Sequence, residues 1–272
     1  MEKITKMHTF QDYVKAYQNT EKHNDDIWEL FKDKVDSIQF LKNHRDDIEE
    51  RLAGFGDRSF HFMWYLLLQE LSTLHRDIQC LEIGIFKGQV ISLWALIARE
   101  LKIPIKTTGI SPLDGNYPDI LIFRNYYLRR ILSLIIPSIK KDFKNGNIHI
   151  KEDFTKHIKI TFEQSNLNLE NVELIKGFSN DATVLSKVKD RKFDLVYIDG
   201  DHSYEIAKQD IENYTPLLNK GGFMVLDDSS YFSPGSKFFK GIESCSKAAE
   251  EIDPSKFKNV LNIGHNRVFQ KL

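Results

Sequence analysis

Residues 193–228, FDLVYIDGDHSYEIAKQDIENYTPLLNKGGFMVLDD, decide the fold. Phe193–Ile198 is a short, mostly apolar run that stops at Asp199-Gly200, as a buried strand does. A helix follows, with Ala207, Ile211, Tyr214 and Leu218 on one face and Gly221-Gly222 suited to its C-terminus. Phe223–Leu226 is a second strand, ending at Asp227-Asp228. Strand, helix and strand at this spacing make a βαβ unit with parallel strands.

The same alternation runs upstream. Ile78–Ile83 is a strand ending at Gly84, and Val90, Trp94, Ile97 and Leu101 share a face of the helix after it. Lys106–Ile110 is stopped by Ser111-Pro112, and Val172–Lys176 by Gly177. The pattern predicts an α/β, Rossmann-like, mostly parallel sheet with helices on both faces. Two extended runs around Gly264-His265-Asn266 predict a C-terminal antiparallel hairpin at the sheet edge, with His265 structural in its turn.

Residues 1–75 are expected to form an N-terminal helical cap, with Trp28, Phe31, Val35 and Ile38 on one helix face. Residues 76–272 then form the sheet domain. About sixty residues separate its second and third strands, too many for a simple crossover. Within this insertion, 116–170, Leu121, Tyr127, Ile131, Leu134 and Ile135 fit one amphipathic helix, serving as a lid or as a homodimer contact.

The balance of 38 Lys+Arg against 39 Asp+Glu lacks the basic excess of a nucleic-acid binder, so no nucleic-acid partner is expected. Hydrophobic residues at 41% and charged residues at 28% describe a globular chain. Cys80 and Cys245 are too few for a disulfide framework. The most apolar stretch, 120–137, is broken by Arg124, Asn125, Arg129 and Arg130, so no membrane partner is expected. The N-terminus lacks a signal-peptide core, which makes the cytoplasm the expected location.

Three motifs sit where predicted strands end, the place where open α/β sheets bind ligands. Gly84-x-x-x-Gly88 is neither a dinucleotide fingerprint nor a P-loop, and Glu82 just before it favours a ligand with an ammonium or sulfonium group over a pyrophosphate. Glycines at such a turn let backbone N–H groups approach a ligand. Asp199-Gly200-Asp201-His202 and Asp227-Asp228 end the next pair of strands. Neighbouring strands lie about 4.8 Å apart. Converging acids repel and raise one another's pKa values unless a cation offsets them, and a hard dication such as Mg²⁺ or Ca²⁺ is a natural partner. The bland alternative is that these acids cap loops and helices, with Asp201 the N-cap of the following helix.

The segments CLEIGIFKGQ, VELIKGFSNDA, the 193–230 stretch and NIGHNRVFQK resemble, in that order, class I S-adenosylmethionine-dependent methyltransferases. The likeness is greatest to the small-molecule O-methyltransferase branch that includes macrocin-type and cephalosporin-hydroxylase-like proteins, and it covers residues 76–272. It implies a seven-stranded sheet, S-adenosylmethionine as cofactor and a hydroxylated small molecule, such as a sugar, as acceptor. It assigns Glu82, Gly84 and Gly88 to the methionine end of the cofactor. The family's ribose-binding acid is replaced here by Ser111, with Asp114 in the loop beyond it as a substitute. Asp181 matches the position facing the adenine amino group. Asp199, Asp227 and Asp228 match the Mg²⁺ ligands of metal-dependent members, with Asp199 and Asp201 both eligible as the first. His202, or a metal-bound Asp199, is the expected proton acceptor. Two competing functions are a nicotinamide-dependent oxidoreductase, which the absent Gly-x-Gly-x-x-Gly disfavours, and a non-catalytic cofactor-binding or assembly protein.

Overall fold

A computed structural model of the chain describes residues 9–272. Four helices come first: α1 Phe10–Ala16, α2 Glu21–Ser37, α3 Gln39–Glu50 and α4 Ser59–Leu74. Then follow β1 Ile78–Ile83, α5 Gln89–Leu101 and β2 Ile105–Ser111. The insertion folds as α6 Leu121–Arg124, α7 Tyr126–Ile135, α8 Pro137–Lys144 and α9 Phe154–Gln164. The chain continues through β3 Val172–Lys176, α10 Ala182–Val188, β4 Phe193–Ile198, α11 Tyr204–Tyr214 and β5 Leu218–Leu226. It ends with α12 Glu243–Glu250, β6 Phe257–Ile263 and β7 Asn266–Lys271.

The seven strands are ordered β3-β2-β1-β4-β5-β7-β6. The first five are parallel, whereas β7 runs antiparallel to both β5 and β6. The chain moves outward from β1 to β2 and β3, then returns to place β4 on the other side of β1. That reversal opens a crevice at the carboxyl ends of β1 and β4. Two cores flank the sheet. On one face α1, α2, α4 and α5 pack Tyr13, Phe31, Trp64 and Trp94 against β1, β4 and β5. On the other, Val188, Ile211, Tyr214 and Ala248 from α10, α11 and α12 cover the same strands.

Three local readings are corrected. The helix after β4 stops at Tyr214, because Pro216 has no N–H to continue it and the chain enters a tight turn over Thr215–Leu217. Leu218 therefore opens β5, and Gly221-Gly222 lie inside that strand, where its register against β4 shifts and Gly221 takes φ 80°. In the cap, Phe31 and Val35 are buried, but Ile38 terminates α2 instead of extending its face. In the insertion, the apolar residues expected on one helix fall on α6 and α7, with Asn125 capping α7 by accepting from the N–H groups of Tyr127 and Leu128.

The cap is tied to the sheet domain by a buried polar chain. His44 Nδ1 lies 3.0 Å from His61 Nε2, and His44 Nε2 lies 2.9 Å from the Ser92 hydroxyl on α5. Burial holds the His44 pKa down, from 6.5 to about 3, so the ring is neutral in the fold. A depressed basic pKa contributes stability above the unfolded value, and that contribution is lost as pH falls from 6.5 towards 3. His44→Leu orphans two buried partners and is expected to cost about 1–3 kcal/mol at neutral pH. Its deficit against wild type should shrink at pH 5, measured by denaturant unfolding; a deficit that grows on acidification would contradict a neutral His44.

Candidate active site

The carboxyl ends of β1, β2, β4 and β5 open onto one cavity of about 760 Å³, walled additionally by the cap loop after α3 and by the end of α8. Glu82, Gly84, Ser111, Asp114, Asp199, His202, Asp227 and Asp228 all line it. Glu82, in β1, is almost fully buried, and its Oε2 has no hydrogen-bond partner. Burial and the Asp199 charge push its pKa well above the carboxylate range, while the Ile91 backbone acts in the other direction. An unpaired buried carboxylate lacks the hydrogen bonds or cation that water would otherwise supply.

Gly84 takes φ 98°, and a Cβ built on it would sit 1.7 Å from the Asp199 carbonyl oxygen. Gly84 lines the cavity, and its lack of a side chain has a second reason. Its missing side chain lets the turn after β1 lie against the turn after β4, an arrangement also marked by Asp199 N–H donating to Ile83 O at 2.8 Å. Gly88, at φ 86°, begins α5, and its absent Cβ faces Ile158 of α9. Ser111 Oγ donates to Ile85 O and accepts from Leu113 N–H. Asp114 Oδ1 accepts from the N–H groups of Gly115 and Glu152, which fixes the loop beyond β2.

Asp181 is not brought to this cavity. As the N-cap residue of α10 it turns its carboxylate back to accept from Phe178 N–H, and Phe178, Ser179 and Asn180 form the wall there instead. Asp201 does line the cavity, with its carboxylate accepting from Ser203 N–H and Asn147 Nδ2. The N-cap of α11 is Ser203, not Asp201.

Asp199, Asp227 and Asp228 converge as the strand order requires, and two groups outside the acids complete the cluster. Tyr197, one turn of the pleat before Asp199, has its hydroxyl 3.1 Å from both Asp199 Oδ2 and Asp227 Oδ1. One proton can serve only one of these carboxylates at a time. His265 Nε2 lies 3.5 Å from Asp227 Oδ1 and 3.8 Å from Asp228 Oδ1. The residue lies in the hairpin turn as expected, with its carbonyl accepting from Ser229 N–H, and its ring also joins the acid cluster. Because β7 is antiparallel to β5, the β6–β7 turn lies at the carboxyl end of β5, and the ring, set edge-on to Phe60, reaches the acids.

His202 Nδ1 donates to the Asn145 carbonyl at 2.9 Å, leaving Nε2 directed at Asp199 Oδ1, 3.4 Å away. Burial opposes its charge, but the Asp199 hydrogen bond and the Asp228 and Asp199 charges raise its pKa to about 10. Burial and the Asp227 charge raise Asp199 well above its ordinary value and Asp228 to about 6. Asp199–His202–Asp227 and Asp227–Asp228–His265 each bring three ligand atoms within 4.8 Å of one another, spacing that suits a metal ion.

A family model described as a methyltransferase domain matches residues 81–229, more than half of the chain. The chain belongs to this methyltransferase family. The methyltransferase domain so defined runs from β1 to the residue after Asp228, and thus includes all three strand-end motifs. Solved structures share its fold. The O-methyltransferase NovP is 15% identical, with 78% of each chain covered and a TM-score of 0.53. The calicheamicin methyltransferase CalS11 is 11% identical, with 90% of this chain and 91% of that one covered and a TM-score of 0.54. An O-methyltransferase from Bacillus cereus, in complex with SAH, is 14% identical over 86% of this chain and 91% of that one, with a TM-score of 0.52. The uncharacterized protein R132 of Acanthamoeba polyphaga mimivirus is 26% identical over 184 residues, and the matched region spans 64% of its length.

Two outcomes test this geometry. Gly84→Ala must separate two backbone turns of the methyltransferase domain, so it is expected to destabilise the fold by about 2–4 kcal/mol in denaturant unfolding. Wild-type stability would contradict the turn-on-turn contact. Burial and the Asp227 charge raise the Asp228 pKa from 3.8 to about 6, so its charge destabilises the cation-free fold at neutral pH, and that penalty is lost as pH falls from 6 towards 3.8. Asp228→Asn should therefore melt higher than wild type at pH 7.5 in chelator, with the gain fading as pH falls from 6 towards 3.8; a lower melting temperature at pH 7.5 would refute the repulsion.

Proposed function

We propose that this chain is an S-adenosylmethionine-dependent O-methyltransferase acting on a hydroxyl group of a small molecule, with Mg²⁺ held by Asp199, Asp227 and Asp228. The observation that carries the reading is the buried Glu82 carboxyl, whose Oε2 has no partner, in the cavity that also holds the three aspartates. A carboxylate in that state fits the ammonium group of the methionine portion. Ser111 and Asp114, at the carboxyl end of β2, are the groups available to ribose hydroxyls, and Phe178 to Asn180 form the wall available to the adenine. Carboxylate oxygens clustered around Asp227, with His202 and His265 beside them, fit a hard dication.

When bound, S-adenosylmethionine supplies a methyl group already activated by its sulfonium. The protein's own tasks are then alignment and proton removal. Holding the acceptor oxygen in line with the methyl carbon supplies several kcal/mol by proximity. His202 has its Nδ1 proton committed to Asn145 O, so in the neutral ring Nε2 is free to accept the hydroxyl proton. Neutralising the aspartates removes the charges that keep this imidazole protonated, which makes it a base only when the cluster is filled. An oxygen-directed acid cluster favours O-transfer over the nicotinamide alternative, whose Gly-x-Gly-x-x-Gly the β1 turn lacks.

Isothermal titration should show S-adenosylhomocysteine binding in the micromolar range or tighter and no NAD binding. Glu82→Gln should weaken the former at least tenfold. Transfer of labelled methyl to a panel of sugar and polyol acceptors should fall at least a hundredfold in Asp228→Asn and in chelator. NAD binding without S-adenosylhomocysteine binding would overturn the assignment, and full activity in chelator would remove the metal from it.

A further inference from the structure

The insertion carries a surface that methyl transfer does not use. Nine of the seventeen exposed large hydrophobic residues among the described residues lie within 120–136. On α7, Tyr127, Ile131, Leu134 and Ile135 are spaced four, three and one apart, forming a single stripe. That stripe faces solvent: Leu134 is 79% exposed and Ile135 73%, while Ser133 on the opposite side is buried. Leu121 at 73% exposure and Tyr126 continue the apolar surface onto α6 and the start of α7. Soluble surfaces scatter such residues singly; a contiguous patch marks a contact.

Charge decides which contact. Between Asp119 and Asp142 the chain has five cations and no acid; Arg124 is held by Asp119, which leaves Arg129, Arg130, Lys140 and Lys141. The whole chain has 38 cations against 39 acids, so this is a local positive field on a near-neutral protein. Arg130 on α7 and Lys140 and Lys141 on α8, the helix packed against it, are exposed. A second copy packed symmetrically on this face would set these cations against their own equivalents. An anionic bilayer instead takes both halves of the surface: aliphatic side chains enter the acyl boundary, tyrosines sit at headgroup depth, and long cationic side chains reach the lipid phosphates. None of the helices described is long and apolar enough to cross a membrane, so the contact is peripheral.

We propose that the α6–α8 hairpin is a docking surface for an anionic lipid bilayer, with α7 lying in the interface and Arg130, Lys140 and Lys141 engaging the headgroups. This goes beyond the methyl-transfer reading and does not rest on it. It also revises the sequence expectation of no membrane partner, which excluded only a span. Because Phe143 and Lys144 of α8 line the cavity, docking would bring the cavity wall close to the bilayer.

Co-sedimentation of the full chain with phosphatidylcholine vesicles, with and without about 30% phosphatidylserine, tests the proposal. The account expects at least tenfold more bound protein on the anionic vesicles at low salt, released by about 0.5 M NaCl. Leu134→Glu with Ile135→Glu should reduce binding at least tenfold at an unchanged melting temperature, since both side chains are exposed. Arg130→Gln with Lys140→Gln and Lys141→Gln should abolish the anionic preference. Equal or negligible sedimentation of the wild type on both vesicles overturns the proposal. So does a solution dimer that Leu134→Glu dissociates in the absence of any vesicle binding, which would give the face to a second copy.

Discussion

Carboxylates crowded onto the rim of one cavity set the terms for this molecule. Asp199, Asp227 and Asp228 meet where β4 and β5 end, and Glu82 lies in the adjacent strand with its Oε2 unpartnered. Only the Tyr197 hydroxyl and two imidazoles stand among them. Burial raises the cost of each charge, and each charge raises the cost of the next. Folds tolerate such an arrangement where a ligand completes it, and an ammonium at Glu82 with a dication at the aspartates would complete this one.

The scaffold brings the acids together by topology, not by local sequence. The reversal of strand order between β2 and β4 makes β1 and β4 neighbours, so turns more than a hundred residues apart in the chain share one rim. The Gly84 contact with the Asp199 carbonyl shows how closely those turns must approach. The cap adds a wall from outside the sheet: Arg45 on α3 donates to the carbonyls of Phe55 and Gly56, holding that loop at the cavity.

How much of this was legible in the sequence follows from the range of each interaction. Strands β1, β3 and β4 are readable residue by residue because an apolar run ended by Gly or Asp is a local signal. The strand-end acids are readable for the same reason. What was not readable depends on distant partners. His265 looks like a turn residue until β7 is known to pair with β5 in the antiparallel sense. Tyr197 looks like a core strand aromatic until the acids on either side are placed in space. Asp181 carries the right chemistry, yet a local hydrogen bond to Phe178 N–H diverts it, and Asp201 at the cavity is engaged by Ser203 N–H. The end of α11 was misjudged because glycines were weighed above Pro216, whose missing N–H acts five residues earlier.

The central claim is that one crevice accepts an ammonium-bearing cofactor at Glu82 and a dication at the aspartates. Co-crystallisation with S-adenosylhomocysteine and Mn²⁺, with the metal located by its anomalous scattering, tests both halves at once. The account predicts the amino group of the ligand against the Glu82 carboxylate and an anomalous peak bounded by Asp199, Asp227 and Asp228. Ligand density at another face of the sheet, or a metal peak away from those carboxylates, would contradict it.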